Sequence, residues 1–366
     1  MYQENELKRM FRMNFFVNKN IRDTKRIYPL QERSKYLRYD MNENPEGLPK
    51  DFIEMVKKEI TPEFLATYPE QGRFLKKYAN YTKMPLENIM ATNGSDMAIR
   101  YIFETFGELG KDVVTVSPSF EMYRVHCSIL GYNCVQIEYD DNFTLSVDKI
   151  VAAINDRTRI VVLVNPNNPV GNTYSENEIE VIVNRANESG AIVIIDEAYH
   201  YFYNKTSLDL IKKYNNVIVL RTFSKLFSLA ACRLGVIIAS KVIIDNVKKS
   251  ALSFDVNSLA LLFAERLLEH PEIEKKLIQN ERKGKQYLLK ELSKQGYEHR
   301  EGKGNFIFIK PRKNAHVIAE ELKQKHRVLV KTFSQKLLSS YIRVTTGSVC
   351  SMQKFLKLFF EADIEG

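Results

Sequence analysis

Short, unbroken runs of apolar and β-branched residues alternate with helix-like stretches along the middle of this chain of 366 residues. The runs have the length of buried strands and occupy residues 113–116, 160–164, 191–195, 217–220 and 234–239. Amphipathic stretches such as 97–106 and 176–187 separate them. Fully apolar strands separated by helices are typical of a mostly parallel sheet with helices on both faces. The sequence therefore predicts an α/β fold with a three-layer α/β/α unit.

The pattern changes after about residue 252. Long helical stretches follow at 259–268 and 273–292, and strand-like runs at 306–309 and 341–345. This change predicts a second, smaller α+β domain, and a chain of this length is too long for one small core. We therefore predict an N-terminal arm at 1–40, a small domain made of 41–65 with 252–366, and a large domain at 66–251.

Composition argues against two classes of partner. The formal net charge is +9, but lysines and arginines are spread along the chain, so we expect no nucleic-acid partner. No apolar run approaches the roughly 18 residues of a membrane span, and the basic start of the chain lacks the apolar stretch of a secretory signal. The four cysteines form no Cys-x-x-Cys pair, which predicts reduced thiols, no metal site and a cytoplasmic location.

Polar residues follow the predicted strands at their carboxyl ends, the edge where parallel sheets bind ligands. The residues concerned are Gly94, Ser95, Asp96, Asn168, Asp196, Tyr199, Ser224, Lys225 and Arg233. The stretch Gly94-Ser95-Asp96 opens a helix, and the free backbone N–H groups of a first helical turn suit a phosphate. Taken singly, each of these residues is equally well explained as a helix cap or turn residue.

A lysine and a carboxylate in this set indicate a particular chemistry. Lys225 follows a buried strand, and a lysine in a polar cleft is a candidate for Schiff-base formation. Asp196 can pair with a pyridinium nitrogen, which keeps the ring protonated and electron-withdrawing. Together with a phosphate site, these are the parts that pyridoxal 5'-phosphate (PLP) needs.

Three stretches carry a resemblance to a known family. They are Asn165-Pro166-Asn167-Asn168-Pro169-Val170-Gly171, Asp196-Glu197-Ala198-Tyr199 and Arg221-Thr222-Phe223-Ser224-Lys225-Leu226-Phe227 with Arg233-Leu234-Gly235. In this order they resemble the motifs of the fold-type I (class I/II) PLP-dependent aminotransferases, and most of all those of the histidinol-phosphate aminotransferases. The resemblance runs from Asn42-Glu43-Asn44-Pro45 to Arg343 and implies the PLP transferase fold of type I.

The resemblance implies roles for the residues around the cofactor ring. Lys225 would hold PLP as a Schiff base and move the proton during the reaction. Asp196 would pair with the pyridine nitrogen, and Asn168 and Tyr199 would bond the phenolic oxygen. Phe120 stands where an aromatic residue stacks on the ring; the family often has tyrosine there, so stacking survives without the hydroxyl.

Further roles concern the phosphate, the substrate and a second subunit. By resemblance, the phosphate would be held by Gly94, Ser95, Asp96, Thr222, Ser224 and Arg233. Tyr68 matches a tyrosine that reaches the phosphate from the neighbouring subunit, which implies a homodimer. Arg343 matches an arginine that clamps a substrate carboxylate, and Asn44 would also contact substrate. Outside the match, a strand-edge cation and a core aromatic remain the simpler interpretations of Arg343 and Tyr68.

The segment 27–35, which in the family helps to line the substrate pocket, departs from the family pattern, so the resemblance leaves more than one substrate open. We expect transamination between glutamate/2-oxoglutarate and histidinol phosphate, or else another phosphorylated amine or ketone such as a triose phosphate. A decarboxylase similar to threonine-phosphate decarboxylase and a regulatory PLP-fold domain are the alternatives. A nicotinamide-dependent dehydrogenase is excluded, because Gly302 and Gly304 lack the third glycine and the helix of a G-x-G-x-x-G motif.

Overall fold

The computed structural model of the protein describes residues 15–24 and 32–363. Within these residues the strands are β1 Leu37–Arg38, β2 Ile89–Asn93, β3 Asp112–Ser117, β4 Asn133–Glu138, β5 Thr158–Val164, β6 Ile192–Asp196, β7 Val217–Thr222, β8 Leu234–Ala239, β9 His299–Glu301, β10 Phe306–Ile309, β11 Val328–Leu329 and β12 Ile342–Thr345. Every strand predicted from an apolar run is present, with bounds that shift by at most two residues.

The largest sheet has seven strands in the order β2-β8-β7-β6-β5-β3-β4. The strands from β7 to β4 are parallel to one another, and β8 runs antiparallel to both β2 and β7. The side chains of β5, β7 and β8 are almost all buried, which explains why their sequences are continuously apolar. The edge strand β4 is largely half-exposed, so its sequence carries no such run.

The helices of the described residues are α1 Lys19–Asp23, α2 Lys50–Lys57, α3 Pro62–Ala66, α4 Gly72–Thr82, α5 Gly94–Phe106, α6 Met122–Leu130, α7 Val147–Ala153, α8 Glu176–Glu188, α9 His200–Tyr203, α10 Leu210–Lys213, α11 Lys241–Ser250, α12 Ser258–Glu269, α13 Pro271–Lys294, α14 Ala315–His326 and α15 Val349–Asp363. They cover both faces of the large sheet: Val161 and Leu163 of β5 join one apolar cluster, while Ile160 and Val162 join another. The predicted mostly parallel sheet with helices on both faces is confirmed.

Two smaller sheets are built mainly from strands of the C-terminal half of the chain, and one of them also includes β1 from the N-terminal part. β9, β10 and β12 form an antiparallel sheet in the order β12-β10-β9, and β1 pairs in parallel with β11. A third apolar cluster, which includes Tyr39, Ile307 and Phe355, packs around them. Phe52 and Val56 of α2 belong instead to the core of the large sheet. The division into an arm, a small domain and a large domain stays a prediction.

In the described ranges, no helix combines the length and apolarity needed to cross a membrane.

Candidate active site

A cavity of about 120 Å³ opens at the carboxyl ends of β5, β6 and β7. Its lining residues are Ser95, Asp96, Phe120, Val164, Asn168, Asp196, Ala198, Tyr199, Thr222, Ser224, Lys225 and Arg233. Parallel neighbouring strands end at the same edge of a sheet, so residues far apart in the sequence meet there. The structure thereby brings together the predicted cofactor-binding residues, with the exceptions of Gly94 and Tyr68.

Asp196 ends β6, lines this cavity and is 3% exposed. Its carboxylate accepts hydrogen bonds from the Tyr123 hydroxyl (2.8 Å to Oδ2) and the Ala198 backbone N–H (3.0 Å to Oδ1). Burial raises the pKa of Asp196 to about 6, and the two hydrogen bonds oppose that rise. Within the described part of the chain, the charges that act on this pKa are those of two further acids, Asp96 and Glu197. A cationic group placed directly beside this carboxylate would therefore offset the cost of its burial.

The start of α5 forms another wall of the cavity. Gly94 has a φ of 75°, and a Cβ there would lie 2.6 Å from Nη2 of Arg233. The Arg233 guanidinium donates to Oδ2 of Asp96 (3.1 Å) and to Oγ of Ser224 (3.4 Å). Glycine thus leaves room for the guanidinium beside the first helical turn, whose backbone N–H groups have no partner within the helix. A cation and free N–H groups side by side suit a phosphate.

Lys225 is half-buried and lines both this cavity and a larger one of about 270 Å³. Its Nζ donates to the backbone carbonyl of Met41 (2.8 Å) and lies 6.0 Å from the centroid of the Tyr199 ring. The Tyr199 hydroxyl accepts a hydrogen bond from Nδ2 of Asn42 (2.9 Å). Since that bond uses an oxygen lone pair, the hydroxyl hydrogen of Tyr199 remains available for donation.

Arg343 approaches the cavity from β12 of the small antiparallel sheet and is 6% exposed. Its Nη1 donates to Oδ1 of Asn168 (2.5 Å) and its Nη2 to the backbone carbonyl of Asp40 (2.7 Å). Its Nε is buried without a hydrogen-bond partner. Burial lowers the pKa of Arg343, and both partners of its guanidinium are neutral acceptors. A substrate carboxylate would supply the missing negative charge.

Two predicted site residues lie elsewhere. Asn44 lines the larger cavity, where its Nδ2 donates to Oγ of Ser228 (2.7 Å) and to the Gly47 carbonyl (3.0 Å). Tyr68 is 73% exposed and stacks on Phe254, with 4.6 Å between the ring centroids. The unusual segment 27–35 lies outside the described residues up to position 31.

Two residues of the site were missed by the sequence analysis, Tyr123 and Asn42. Tyr123 lies near the start of α6, three positions after Phe120, and its hydroxyl holds the Asp196 carboxylate. The sequence signal that could have identified Tyr123 was its position three residues after Phe120, the predicted stacking residue. Asn42 belongs to the Asn42-Glu43-Asn44-Pro45 motif, but only the geometry shows that it contacts Tyr199.

These groups fit PLP, which combines a phosphate, a basic ring nitrogen and a phenolic oxygen. The fit rests on the buried Asp196 carboxylate, which has neutral hydrogen-bond donors and acidic neighbours. It rests also on Gly94 and Gly235, where a Cβ would lie 2.6 Å from Arg233 and 2.5 Å from the backbone N of Ser95. A larger residue at Gly94 would displace the Arg233 guanidinium, and one at Gly235 would displace the backbone at the start of α5, so both glycines keep the phosphate side of the cavity in place.

Comparison with known proteins agrees with this fit. The family model for aminotransferase class I and II matches residues 35–358. The histidinol-phosphate aminotransferase of Clostridium novyi is 34% identical over 334 residues, which are 90% of this chain and 92% of that relative. The enzyme of the same name from Clostridium kluyveri is 31% identical over 329 residues, 88% of this chain and 91% of that relative.

A solved structure gives the same result for the fold. The histidinol-phosphate aminotransferase of Sinorhizobium meliloti in complex with pyridoxal-5'-phosphate has a TM-score of 0.86 to this chain at 20% identity, covering 96% of this chain and 98% of that one. The predictions of a type I PLP transferase fold, of PLP as the cofactor and of an aminotransferase are confirmed. The chain belongs to the class I and II aminotransferases and is a PLP-dependent transaminase.

Proposed function

We propose that Lys225 holds PLP as a Schiff base and that Asp196 pairs with its pyridine nitrogen. The observation that carries this assignment is the buried Asp196 carboxylate in the cavity wall, which has two neutral hydrogen-bond donors and whose pKa is raised by burial and by the nearby acids Asp96 and Glu197. When bound, PLP supplies an electron-withdrawing ring that stabilises negative charge on the substrate carbon. Once its Nζ is a free amine again, Lys225 would move the proton that leaves this carbon; among the described residues, Nζ donates to the Met41 carbonyl.

The phenolic oxygen of the cofactor takes its hydrogen bonds from Tyr199 and Asn168. Asn42 donates to the Tyr199 hydroxyl, which directs the hydroxyl hydrogen elsewhere. Arg343 donates to Oδ1 of Asn168, so the Nδ2 donors of that amide are left for the cofactor. Phe120, half-buried in the cavity wall, stacks on the ring.

The phosphate of the cofactor would be held at the start of α5. Ser95 and Asp96 contribute their backbone N–H groups, and Ser224 and Arg233 their side chains. The Asp96 carboxylate orients the Arg233 guanidinium through the bond of 3.1 Å. Thr222 plays a smaller part, because its hydroxyl already donates to the Leu234 carbonyl (3.5 Å) and accepts from the Ser224 backbone N–H (3.1 Å).

Glutamate and histidinol phosphate are the proposed pair of amino donors, with 2-oxoglutarate as the product of the first. Arg343 supports the glutamate half, because its buried guanidinium has an unpartnered Nε and only neutral acceptors. The names of the Clostridium relatives support the histidinol phosphate half. The role of Asn44 in substrate binding stays a prediction.

A half-reaction experiment tests the substrates. The enzyme is treated with glutamate until the visible absorption of the bound cofactor changes, and a panel of keto-phosphates and keto-acids is then offered. We expect the original spectrum to return with the ketone that corresponds to histidinol phosphate. Return with a triose phosphate alone would assign the other substrate, and carbon dioxide release from a phosphorylated amino acid would identify a decarboxylase.

A homodimer is the proposed assembly, with Tyr68 serving the cofactor of the partner subunit. Tyr68 and Phe254 form an exposed aromatic pair, and Leu65 and Leu252, which are close in sequence to Tyr68 and to Phe254 respectively, are 65% and 67% exposed. Large exposed apolar side chains in a group are typical of protein–protein contacts. A cytoplasmic location is proposed as well, supported by the four free cysteines.

A further inference from the structure

Two buried charged residues have no part in the mechanism described so far. Glu281 and Lys285 lie one turn apart on α13 and are 7% and 8% exposed. Burial raises the pKa of Glu281 and lowers that of Lys285. Buried charges are costly unless they are hydrogen-bonded, so the partners of this pair indicate what it does.

Lys285 holds one short turn of the chain, residues 302–305. Its Nζ donates to the carbonyl of Gly302 (2.8 Å) and to that of Gly304 (2.6 Å). The carboxylate of Glu301 is more distant, 3.9 Å from Nζ. A lysine ammonium has three donors on one atom, which allows it to bind two carbonyls of the same turn.

The two glycines of this turn press against the candidate active site. A Cβ at Gly302 would lie 3.0 Å from the Phe306 ring and 3.1 Å from the Cα of Gly171, and a Cβ at Gly304 would lie 2.4 Å from the Phe306 ring and 3.1 Å from Cδ1 of Tyr199. The backbone N–H of Lys303 donates to the Gly171 carbonyl (2.9 Å). The G-x-G pattern that was rejected as a nucleotide motif thus has another physical reason: close approach to the loop of Asn168 and to Tyr199.

The end of the turn is joined to Tyr199 by hydrogen bonds. Nδ2 of Asn305 donates to the Asn42 carbonyl (3.1 Å), and Nδ2 of Asn42 donates to the Tyr199 hydroxyl (2.9 Å). Glu281 secures the same end, because it accepts from the Thr346 hydroxyl (2.6 Å) while the Thr346 backbone N–H donates to the Asn305 carbonyl (2.9 Å).

The helix itself lies close to this region. A Cβ at Gly284, between the two charged residues, would lie 1.9 Å from the carbonyl oxygen of Gly347. Only glycine permits this approach, so the backbone of α13 packs directly on the chain that follows β12. The helix therefore provides a fixed support from which Glu281 and Lys285 reach the turn.

We propose that Lys285 and Glu281 are positioning residues that hold the turn 302–305 and, through it, set Tyr199 and Asn168 against the phenolic oxygen of the cofactor. This inference rests on the proposed roles of Tyr199 and Asn168. It assigns the buried pair to the tuning of the cofactor, in addition to the stability of the fold.

The test is a pH titration of the visible absorption of the bound cofactor in the holoenzyme, because that midpoint depends on the groups bonded to the phenolic oxygen. Lys285→Met keeps the length of the side chain and removes its donors. We expect its midpoint to shift in the same direction as that of Tyr199→Phe, by about half a pH unit or more, with kcat reduced about 3- to 10-fold, the size of one or two weakened hydrogen bonds. The KM for glutamate should change less than about twofold, since Arg343 is untouched.

Lys283→Met is the matched control, since Lys283 lies on the same helix and is exposed. It should leave the midpoint and kcat unchanged. If Lys285→Met leaves Glu281 as an unpaired buried charge and the protein does not fold, the double variant Glu281→Gln/Lys285→Met removes both charges and allows the same titration.

The outcomes distinguish failure of the positioning role from failure of the proposed function. If Tyr199→Phe shifts the midpoint and the folded Lys285 variant does not, the positioning role is overturned while the proposed function stands. If Tyr199→Phe leaves the midpoint unchanged, Tyr199 does not bond the phenolic oxygen and both proposals are overturned. A lower melting temperature alone, with normal midpoint and kcat, would reduce the pair to a structural role.

Discussion

Asp196 and Arg343 are buried charges of opposite sign at two ends of the candidate active site, and they are built differently. Asp196 ends a strand of the large sheet, and its two donors come from Tyr123 and from Ala198, two residues further along the chain. Arg343 lies on the small antiparallel sheet, and its acceptors come from Asn168 and from Asp40. The carboxylate has both oxygens bonded, whereas the guanidinium has one nitrogen without a partner.

The fully bonded Asp196 carboxylate suits a cofactor that stays bound, whereas the partly unbonded Arg343 guanidinium suits a substrate that binds and leaves. The aspartate end is assembled within one sheet and its neighbouring helix, so it keeps its geometry before any ligand arrives. The arginine end joins segments that are 175 and 303 residues apart from Arg343, and it depends on how the two sheets sit together. We expect substitutions at the first end to affect chemistry and cofactor binding, and those at the second to affect substrate affinity.

Lys225 would both hold the cofactor and move the proton of the substrate, so loss of this side chain should have the largest effect on turnover. We expect Lys225→Ala to lower turnover by at least about 10³-fold, within the range of general acid–base catalysis, with little loss of stability. Borohydride reduction followed by peptide mapping should place the cofactor on Lys225 in the unsubstituted protein. Lys276→Ala, which removes an exposed lysine at the larger cavity, is the control. Labelling of another lysine would contradict the assignment.

Asp196→Asn should have the next largest effect and should leave the glutamate KM nearly unchanged. A neutral amide no longer stabilises the protonated ring nitrogen, and loss of such an electrostatic contact costs about 10²- to 10³-fold in kcat. Asp112→Asn is the control. Asp112 is also buried on the large sheet, but its carboxylate accepts a hydrogen bond from Asn133 and does not line the cavity. A normal rate in Asp196→Asn would make this residue a helix cap and remove the contrast between the two ends.

The same residue predicts a pH dependence in the protein without cofactor. The pKa of Asp196 is raised from 3.8 to about 6 by burial, so the folded state keeps a proton that the unfolded state releases. The free energy of unfolding should therefore fall as pH rises from about 4 to about 6, by about 3 kcal/mol in all. Asp196→Asn does not titrate, so urea unfolding should show it more stable than the unsubstituted chain at pH 7 by that order and equal to it below pH 4. Equal stabilities at pH 7 would contradict the burial argument.

The comparison also shows what the sequence is able to predict. The positions of Asp196 and Lys225 at the edge of the sheet could be predicted, because Asp196 ends one buried strand and Lys225 lies three residues after another, and the apolar runs of these strands locate that edge. Tyr123 and Asn42 were missed, because their contacts with Asp196 and Tyr199 join positions 73 and 157 residues apart and leave no periodicity. The edge strand β4 was missed for a related reason, since its half-exposed residues form no apolar run.

Arg343→Lys tests the substrate end of the candidate active site. Lysine keeps the charge but loses the planar fork, so we expect the glutamate KM to rise about 10- to 100-fold, the equivalent of the 1.5–3 kcal/mol typical of hydrogen bonds to charged groups, with a smaller change in kcat. Arg300→Lys is a matched control: Arg300 and Arg343 both lie opposite Phe308, on the two strands that flank β10. An unchanged glutamate half-reaction in Arg343→Lys would show that the carboxylate binds elsewhere.

Tyr68 gives the smallest expected effect, and it tests whether the cofactor end is complete within one chain. The Tyr68 hydroxyl is the only part of the residue that would bond the partner's phosphate, while its ring stacks on Phe254. Tyr68→Phe should therefore weaken PLP retention about 3- to 10-fold, the cost of one hydrogen bond, and leave the dimer intact in light scattering. Tyr81→Phe, which removes a hydroxyl bonded to Glu274, is the control.

A complementation experiment tests whether Tyr68 acts across the subunit interface. If it does, a mixed dimer of one Lys225→Ala chain and one Tyr68→Ala chain contains one site in which both residues are intact. Such mixed dimers should therefore regain part of the activity. A fully active monomer, or no recovery in the mixed dimer, would place the whole cofactor site in a single chain.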